Sequence, residues 1–332
     1  MKNLFKIVVL IVLLCNVIPA LAQVDKEKKE KKRYEHFKER NISKSYPASG
    51  NTLNIDNSFG DVVVTTGGSE IKVDIHIEAS STDKELAEKI FNNLDVSDSK
   101  DGSQIRFKTT TNKNDKDGWN CKNCSSTMMI NYTVQLPAGT PLNIENSFGA
   151  IILPDYSGTV SLTSKFGSLT TGNLSKVEKL WVEFGKADIK NITSATSTSK
   201  FSTVTLGNLS GSHKMNMEFC GGSRIGLGSD LNSLTLKESY STVNLKPAAN
   251  LSVSYDISTS FGSVNNKSNA DIKRTDTPDK YGPDSDKHYE GKSGSGSSKV
   301  EVKSSFGHII IGDATPEELE SKNKNKSKSK VI

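Results

Sequence analysis

Cysteine, proline and tryptophan are scarce in this 332-residue chain, which holds four Cys, nine Pro and two Trp. Four cysteines are too few for a disulfide-dense scaffold, and a four-ligand zinc site finds no ligand set. His36, His76, His213, His288 and His308 are scattered, with no i, i+4 pair to hold a metal on a helix. After the first 22 residues no apolar run approaches the ~20 residues that cross a bilayer as a helix. Charge of one sign is also missing, because the formal +5 falls to +3 once Lys2 and Lys6 are removed. Such a balance gives no reason to expect a nucleic-acid partner. Hydrophobic residues make up 34% and aromatics 7%, which suits a thin core with many polar turns better than a thick globular one.

Against this background one phrase recurs. An aromatic residue stands at the same corner nine times: Phe59, Phe148, Phe166, Phe184, Phe201, Phe219, Tyr240, Phe261 and Phe306. From Phe148 to Phe261 the steps are 18, 18, 17, 18, 21 and 21 residues, the period of a repeat array. Gly or a small residue (Ser202, Cys220, Ser241) follows every ring. Upstream, apolar residues fall at even offsets from the ring, as in Leu53 and Ile55 or Val160 and Leu162; downstream they fall at odd offsets, as in Val62 and Val64 or Ile309 and Ile311. Each parity is one face of a strand, and a flip between them needs a bend, for which Gly can supply the φ/ψ.

One strand-corner-strand unit exposes most of its apolar face, so units must stack to bury it. The expected fold is all-β, a single-stranded parallel β-helix or β-solenoid of about 17–21-residue coils with an inserted αβ capping segment. In-register rungs would lie roughly 4.8 Å apart and line the nine rings into a ladder inside the coil. An interior ladder makes Phe184→Ala cost about 3–5 kcal/mol.

The ends carry other signals. Met1-Lys2-Asn3 and Lys6, the apolar run Ile7 to Leu14 and the site Ala20-Leu21-Ala22 read as an export signal over 1–22. The mature chain is then periplasmic, surface-bound or extracellular, with no transmembrane segment. A charged linker is expected over 23–45 and the solenoid over 46–313. Within it, 69–140 reads as a strand-helix-strand cap, with Asp83 capping a helix through Leu86, Ala87, Ile90, Phe91 and Leu94. Residues 267–298, rich in Asp, Lys, Gly, Ser and Pro, read as a flexible excursion, and 314–332 as a Lys-rich tail.

Chemistry is thin. Cys121-Lys122-Asn123-Cys124 in an exported chain is a disulfide, half a metal site or a redox motif; the polar flanks and the lack of further ligands favour a small local disulfide. Cys220 fills a corner slot that Gly fills elsewhere. β-Helix lyases and hydrolases need convergent carboxylates, yet the positions two after the rings form no acidic row, leaving Asp188, Glu183, Glu178 and Glu218 as strays. No catalytic residue, metal ligand or cofactor is assigned.

The signal, Leu53-Asn54-Ile55-Asp56-Asn57-Ser58-Phe59-Gly60-Asp61-Val62-Val63-Val64, the inserted cap, Val134-Gln135-Leu136-Pro137-Ala138-Gly139 and the later repeats resemble the bacterial "putative adhesin" family, exported β-strand-repeat proteins, some related to the auto-transporter adhesin head. The resemblance covers roughly 46–313. It implies a non-enzymatic protein presenting a polar surface to an envelope component, a surface glycan or a partner protein. A carbohydrate-active enzyme and an envelope scaffold or signalling accessory are the alternatives. A Cys121–Cys124 bridge predicts that mass spectrometry of the unreduced secreted chain finds these two thiols joined; two free thiols refute it.

Overall fold

The computed structural model describes residues 33–111, 123–278 and 282–319. The expected signal, residues 23–32 of the linker, Cys121 and the tail from 320 onward lie outside them. Among the described residues the protein is nearly all β, with 21 strands in one sheet system and two short helices.

The N-terminal part holds β1 (His36–Pro47), β2 (Thr52–Ser58), β3 (Val62–Thr66), β4 (Glu70–Ser81), α1 (Lys84–Asn93), β5 (Leu94–Asp101), β6 (Gln104–Thr111) and β7 (Ser126–Leu136). The repeats follow as β8 (Leu142–Ser147), β9 (Ala150–Leu153), β10 (Tyr156–Lys165), β11 (Ser168–Glu183), β12 (Lys186–Lys200), β13 (Thr203–Glu218), β14 (Ser223–Ser239) and β15 (Thr242–Pro247). The C-terminal part holds β16 (Val253–Ser260), β17 (Ser263–Lys267), β18 (Asp271–Arg274), β19 (Asp286–Ser293), β20 (Ser298–Ser305), β21 (His308–Gly312) and α2 (Pro316–Leu319).

The offset rule accounts for the core. Upstream of the corners β6, β2, β8, β10, β11, β12, β13, β14, β20 and β16 pair in parallel, each with the next. Downstream β7, β3, β9, β11, β12, β13, β14, β15, β21 and β17 do the same. Residues at even upstream offsets (Leu53, Leu142, Leu162, Val182, Leu236, Val302) and odd downstream offsets (Val62, Ile151, Ile189, Val204, Val243, Ile309) are all buried in one apolar cluster.

The rings themselves are not inside. They stack in one continuous ladder, centroids 4.8–5.4 Å apart and planes within 2–7° of parallel, but all except the half-buried Phe59 are 45–56% exposed. The expected interior ladder is therefore an outer ridge. The cause is backbone conformation: each ring residue has φ between +49° and +71°, the left-handed region, which turns its Cβ away from the core. The unusual dihedral belongs to the aromatic residue and not to the Gly after it. That Gly serves close approach instead. A Cβ on Gly149 would collide with the Gly60 carbonyl, and one on Gly167 with the Gly149 carbonyl. Amides of Lys186 and Thr203 donate to the Gly167 and Gly185 oxygens at 3.1 Å, which draws the corners together.

Chain order and stack order part at the C-terminal end. Phe306 stacks between Tyr240 and Phe261, so β20 and β21 slot between the preceding two repeats instead of following them. The segment expected to be a flexible excursion contributes β18 and β19; β19 lies antiparallel on β16 and covers its outer edge. Arg274 holds this segment closed with hydrogen bonds to Asp276 and Asp284. At the other end, part of the expected linker is β1, antiparallel to β4, which in turn pairs with β7. Helix α1 starts where Asp83 accepts from the Leu86 amide at 2.7 Å, and it buries Leu86, Ala87 and Ile90.

Two substitutions separate close approach from glycine entropy. Gly167→Ala is expected to lose about 1–3 kcal/mol or more through overpacking, while Gly139→Ala, whose Cβ would meet nothing within 4 Å, is expected to be near neutral. Because its ring is half exposed, Phe184→Ala is expected to cost about 1–2 kcal/mol, below the value for an interior ring. Urea midpoints of the three variants check both statements.

Candidate binding surface

Residues three before the ring face outward, and on the N-terminal repeats they help build a shallow groove of about 370 Å³ across β6, β2, β8, β10 and β11. Asp56 and Glu145 stand in register on β2 and β8 and both line it. Each is ion-paired, Asp56 with Lys108 at 2.5 Å and Glu145 with Lys165 at 2.8 Å. These hydrogen bonds hold both ammonium groups above the ordinary lysine range. Asn143 donates to the Asn54 side-chain carbonyl at 2.8 Å, and Asn54 donates to Gln104 at 3.0 Å, which fixes the amide floor.

Trp181 borders this groove, in register with Thr163 of its wall. Its ring is half-buried, Lys179 and Lys200 approach it at 5.9 and 6.0 Å, and its indole N–H donates to Glu183 at 3.2 Å. An aromatic plane beside fixed amides and paired charges can stack on an apolar ring face while satisfying hydroxyl groups around it. Another amide ladder crosses adjacent strands: on β13, β12 and β11 Asn208 donates to Asn191 at 3.1 Å and Asn191 to Asn173 at 2.5 Å, and Asn173 donates to Asp155 at 2.8 Å.

The carboxylates named as strays do not converge. Asp188 and Glu178 are exposed, whereas Glu183 and Glu218 stand in a surface column with lysines, Glu218 being 3.0 Å from Lys200. Cys124 is disulfide-bonded, and Cys121 lies outside the described residues. Cys220 is a buried free thiol whose Sγ lies 3.3 Å from the Ser199 and Glu218 carbonyl oxygens. Among the described residues, Glu39, His76 and Glu78 come close enough to share a cation, His76 in contact with Asn41 at 2.8 Å.

Two features escaped sequence reasoning. Trp181, at an outward offset, carried its signal in plain view. Glu238 sits at the inward position two before Tyr240, where the other repeats place Asn57, Asn146, Ser164, Val182, Ser199, Met217, Thr259 and Ser304. It is 4% exposed, takes a 3.2 Å hydrogen bond from the Ser241 amide, and leaves Oε1 without a partner. Burial pushes its pKa up to about 7, against the smaller opposite pull of Ser304 and the Ser241 amide. Offset parity alone would have placed this carboxyl inside.

No family model and no curated protein matches the chain. Among solved structures it is similar to a "putative cell adhesion protein" from Clostridium sporogenes, at 13% identity over 83% of this chain and all of that one, with a TM-score of 0.26. It is also similar to a "putative adhesin" from Bacteroides fragilis, at 13% identity over 82% and 97% with a TM-score of 0.41. A third, a "putative lipid binding protein" from Parabacteroides distasonis, is 10% identical over 84% and 98%, with a TM-score of 0.31. Likeness at this level carries no argument about activity. No helix among the described residues is long and apolar enough to cross a membrane.

The Glu238 carboxyl sets a pH dependence. Its folded-state pKa lies above the unfolded value, so its contribution is full below about pH 4.5 and is lost as pH rises through about 7. The stability difference between Glu238→Gln and the parent chain is expected to grow in favour of the variant by up to about 3 kcal/mol between pH 5 and 8. Urea unfolding across that range measures it, and a flat difference contradicts a neutral buried carboxyl.

Proposed function

We propose that the chain is an exported, non-enzymatic β-solenoid that presents its outer polar faces to a cell-envelope component or surface glycan. The observation that carries this reading is the groove beside Trp181, where an aromatic plane, an amide row and paired charges of both signs are fixed on adjacent strands. Rigid strands hold these groups without an ordering cost on binding, and sugars are met by this mixture of stacking and hydrogen bonding. Parallel register between successive repeats, together with the export signal read from the first 22 residues, supports the solenoid and exported parts of the reading.

A carbohydrate-active enzyme remains the second reading because Asp56 and Glu145 share the groove. A hydrolytic pair needs one carboxyl group protonated at working pH. Here each carboxylate is instead engaged by its own ammonium group, Asp56 by Lys108 and Glu145 by Lys165. A scaffold or signalling role carried by 267–298 alone would need that stretch to be separable, but with β19 pairing on β16 its removal would strip an edge strand from the fold.

Purified full chain is expected to bind envelope fractions or an array of surface glycans, and Trp181→Ala is expected to weaken binding about 10-fold or more, as loss of one stacking anchor does. Lack of binding across a broad panel sinks the proposal. Release of reducing ends that disappears in Asp56→Asn would favour the enzyme instead.

A further inference from the structure

The exposed ring ladder has a pattern beside it. The residues just before the nine rings stand in register from strand to strand, and in stack order they read Ser58, Ser147, Lys165, Glu183, Lys200, Glu218, Ser239, Ser305 and Ser260. Between flanking serines the charges alternate plus, minus, plus, minus. Such a column is self-complementary when read backwards: about a midpoint between Glu183 and Lys200, Lys165 meets Glu218, Glu183 meets Lys200, and serine meets serine.

We propose that this ridge is the interface of a homodimer, formed with a second copy of the chain running antiparallel about a two-fold axis through the Phe184–Phe201 step. A two-fold axis lying in the interface and perpendicular to the ladder keeps each flank facing its own equivalent, which the charge order requires. On the other flank, two residues after the rings, the same operation brings Asp61 opposite His308, again without a like-charge clash.

Area argues the same way. Rings of about 200 Å² that are half exposed, in a row of nine, offer roughly 800 Å² of contiguous apolar surface per copy. That equals one side of a standard protein interface and exceeds the few hundred Å² that monomers usually leave open. The faces of the inner rings are already taken by stacking partners, so only edges remain to be covered. A comb of edges is matched by a second comb of the same pitch. Glu183 and Lys200 also touch Trp181, so the charge reversals can alter envelope binding as well, whereas Trp181→Ala leaves the ridge charges and rings in place and separates loss of envelope binding from loss of dimerisation.

Sedimentation velocity on the full chain tests the proposal. The parent is expected to run as a dimer at micromolar concentration. Lys200→Glu or Glu183→Lys alone places like charges opposite each other at the midpoint, and each is expected to weaken the dimer at least 10-fold. The double variant Glu183→Lys/Lys200→Glu restores opposite pairing and is expected to dimerise again, and an equimolar mixture of the two single variants is expected to form the heterodimer. Phe201→Asn, with a residue that tolerates the left-handed region, is expected to give a folded monomer. An unchanged far-ultraviolet circular dichroism spectrum of each variant shows that the fold is intact. A parent that stays monomeric, a dimer indifferent to the charge reversals, or a double variant that fails to recover overturns the proposal. So does a monomeric parent that sediments with anionic phospholipid vesicles, which would assign the ridge to a lipid surface.

Discussion

The close approach of one corner to the next is the constraint from which the rest of this structure follows. An aromatic residue in the left-handed region costs about 1–2 kcal/mol, and the chain accepts that cost at nine places. Three interactions offset it together. The ring amide donates across to the residue before the next ring, as Phe166 does to Glu183 at 2.9 Å. The ring stacks on both neighbours, and Gly after the ring lets carbonyl and Cα approach to a distance no side chain permits. None of these forms in a lone repeat, so the corner conformation and the stack stabilise one another.

Where Gly is absent, the interior supplies a substitute. Ser202 and Ser241 are buried, and their hydroxyl groups accept the amides of Gly185 and Cys220 at 3.2 and 2.9 Å, so the corner amide stays paired. The inward position two before the ring is mostly polar for a related reason, since it lies beside carbonyl groups that the bend frees. Asn57 and Asn146 satisfy several of these, including the Ile130 and Gly60 oxygens at 3.0 Å. Glu238 is the costly version of the same device, because a carboxyl at 4% exposure is held mainly as the neutral acid until the pH passes about 7.

Much of the fold was legible. Parity on either side of the ring, read from residues such as Leu53, Ile55, Val62 and Val64, identified the buried face, and Asp83 marked the start of α1. The side on which the rings lie was not legible, because hydrophobic character and a following Gly suit an interior ring as well as an outward one in the left-handed region. The polar segment 267–298 looked structureless, yet Arg274, Asp276 and Asp284 close it and β19 finds an edge to pair with. The groove was half visible: Trp181 and Asp56 had outward parity, but the meeting of Asp56 with Lys108 needed the cap to place β6 beside β2.

The sequence by itself determined the repeat length, the inward set and the corner positions, since these depend on local periodicity and on which residues tolerate a tight bend. Tertiary structure decided the order of the stack, placing the Phe306 repeat between those of Tyr240 and Phe261. It also turned the ladder outward. Both outcomes depend on which edges and corners meet in space, and no contact between distant residues is written in the spacing of their neighbours.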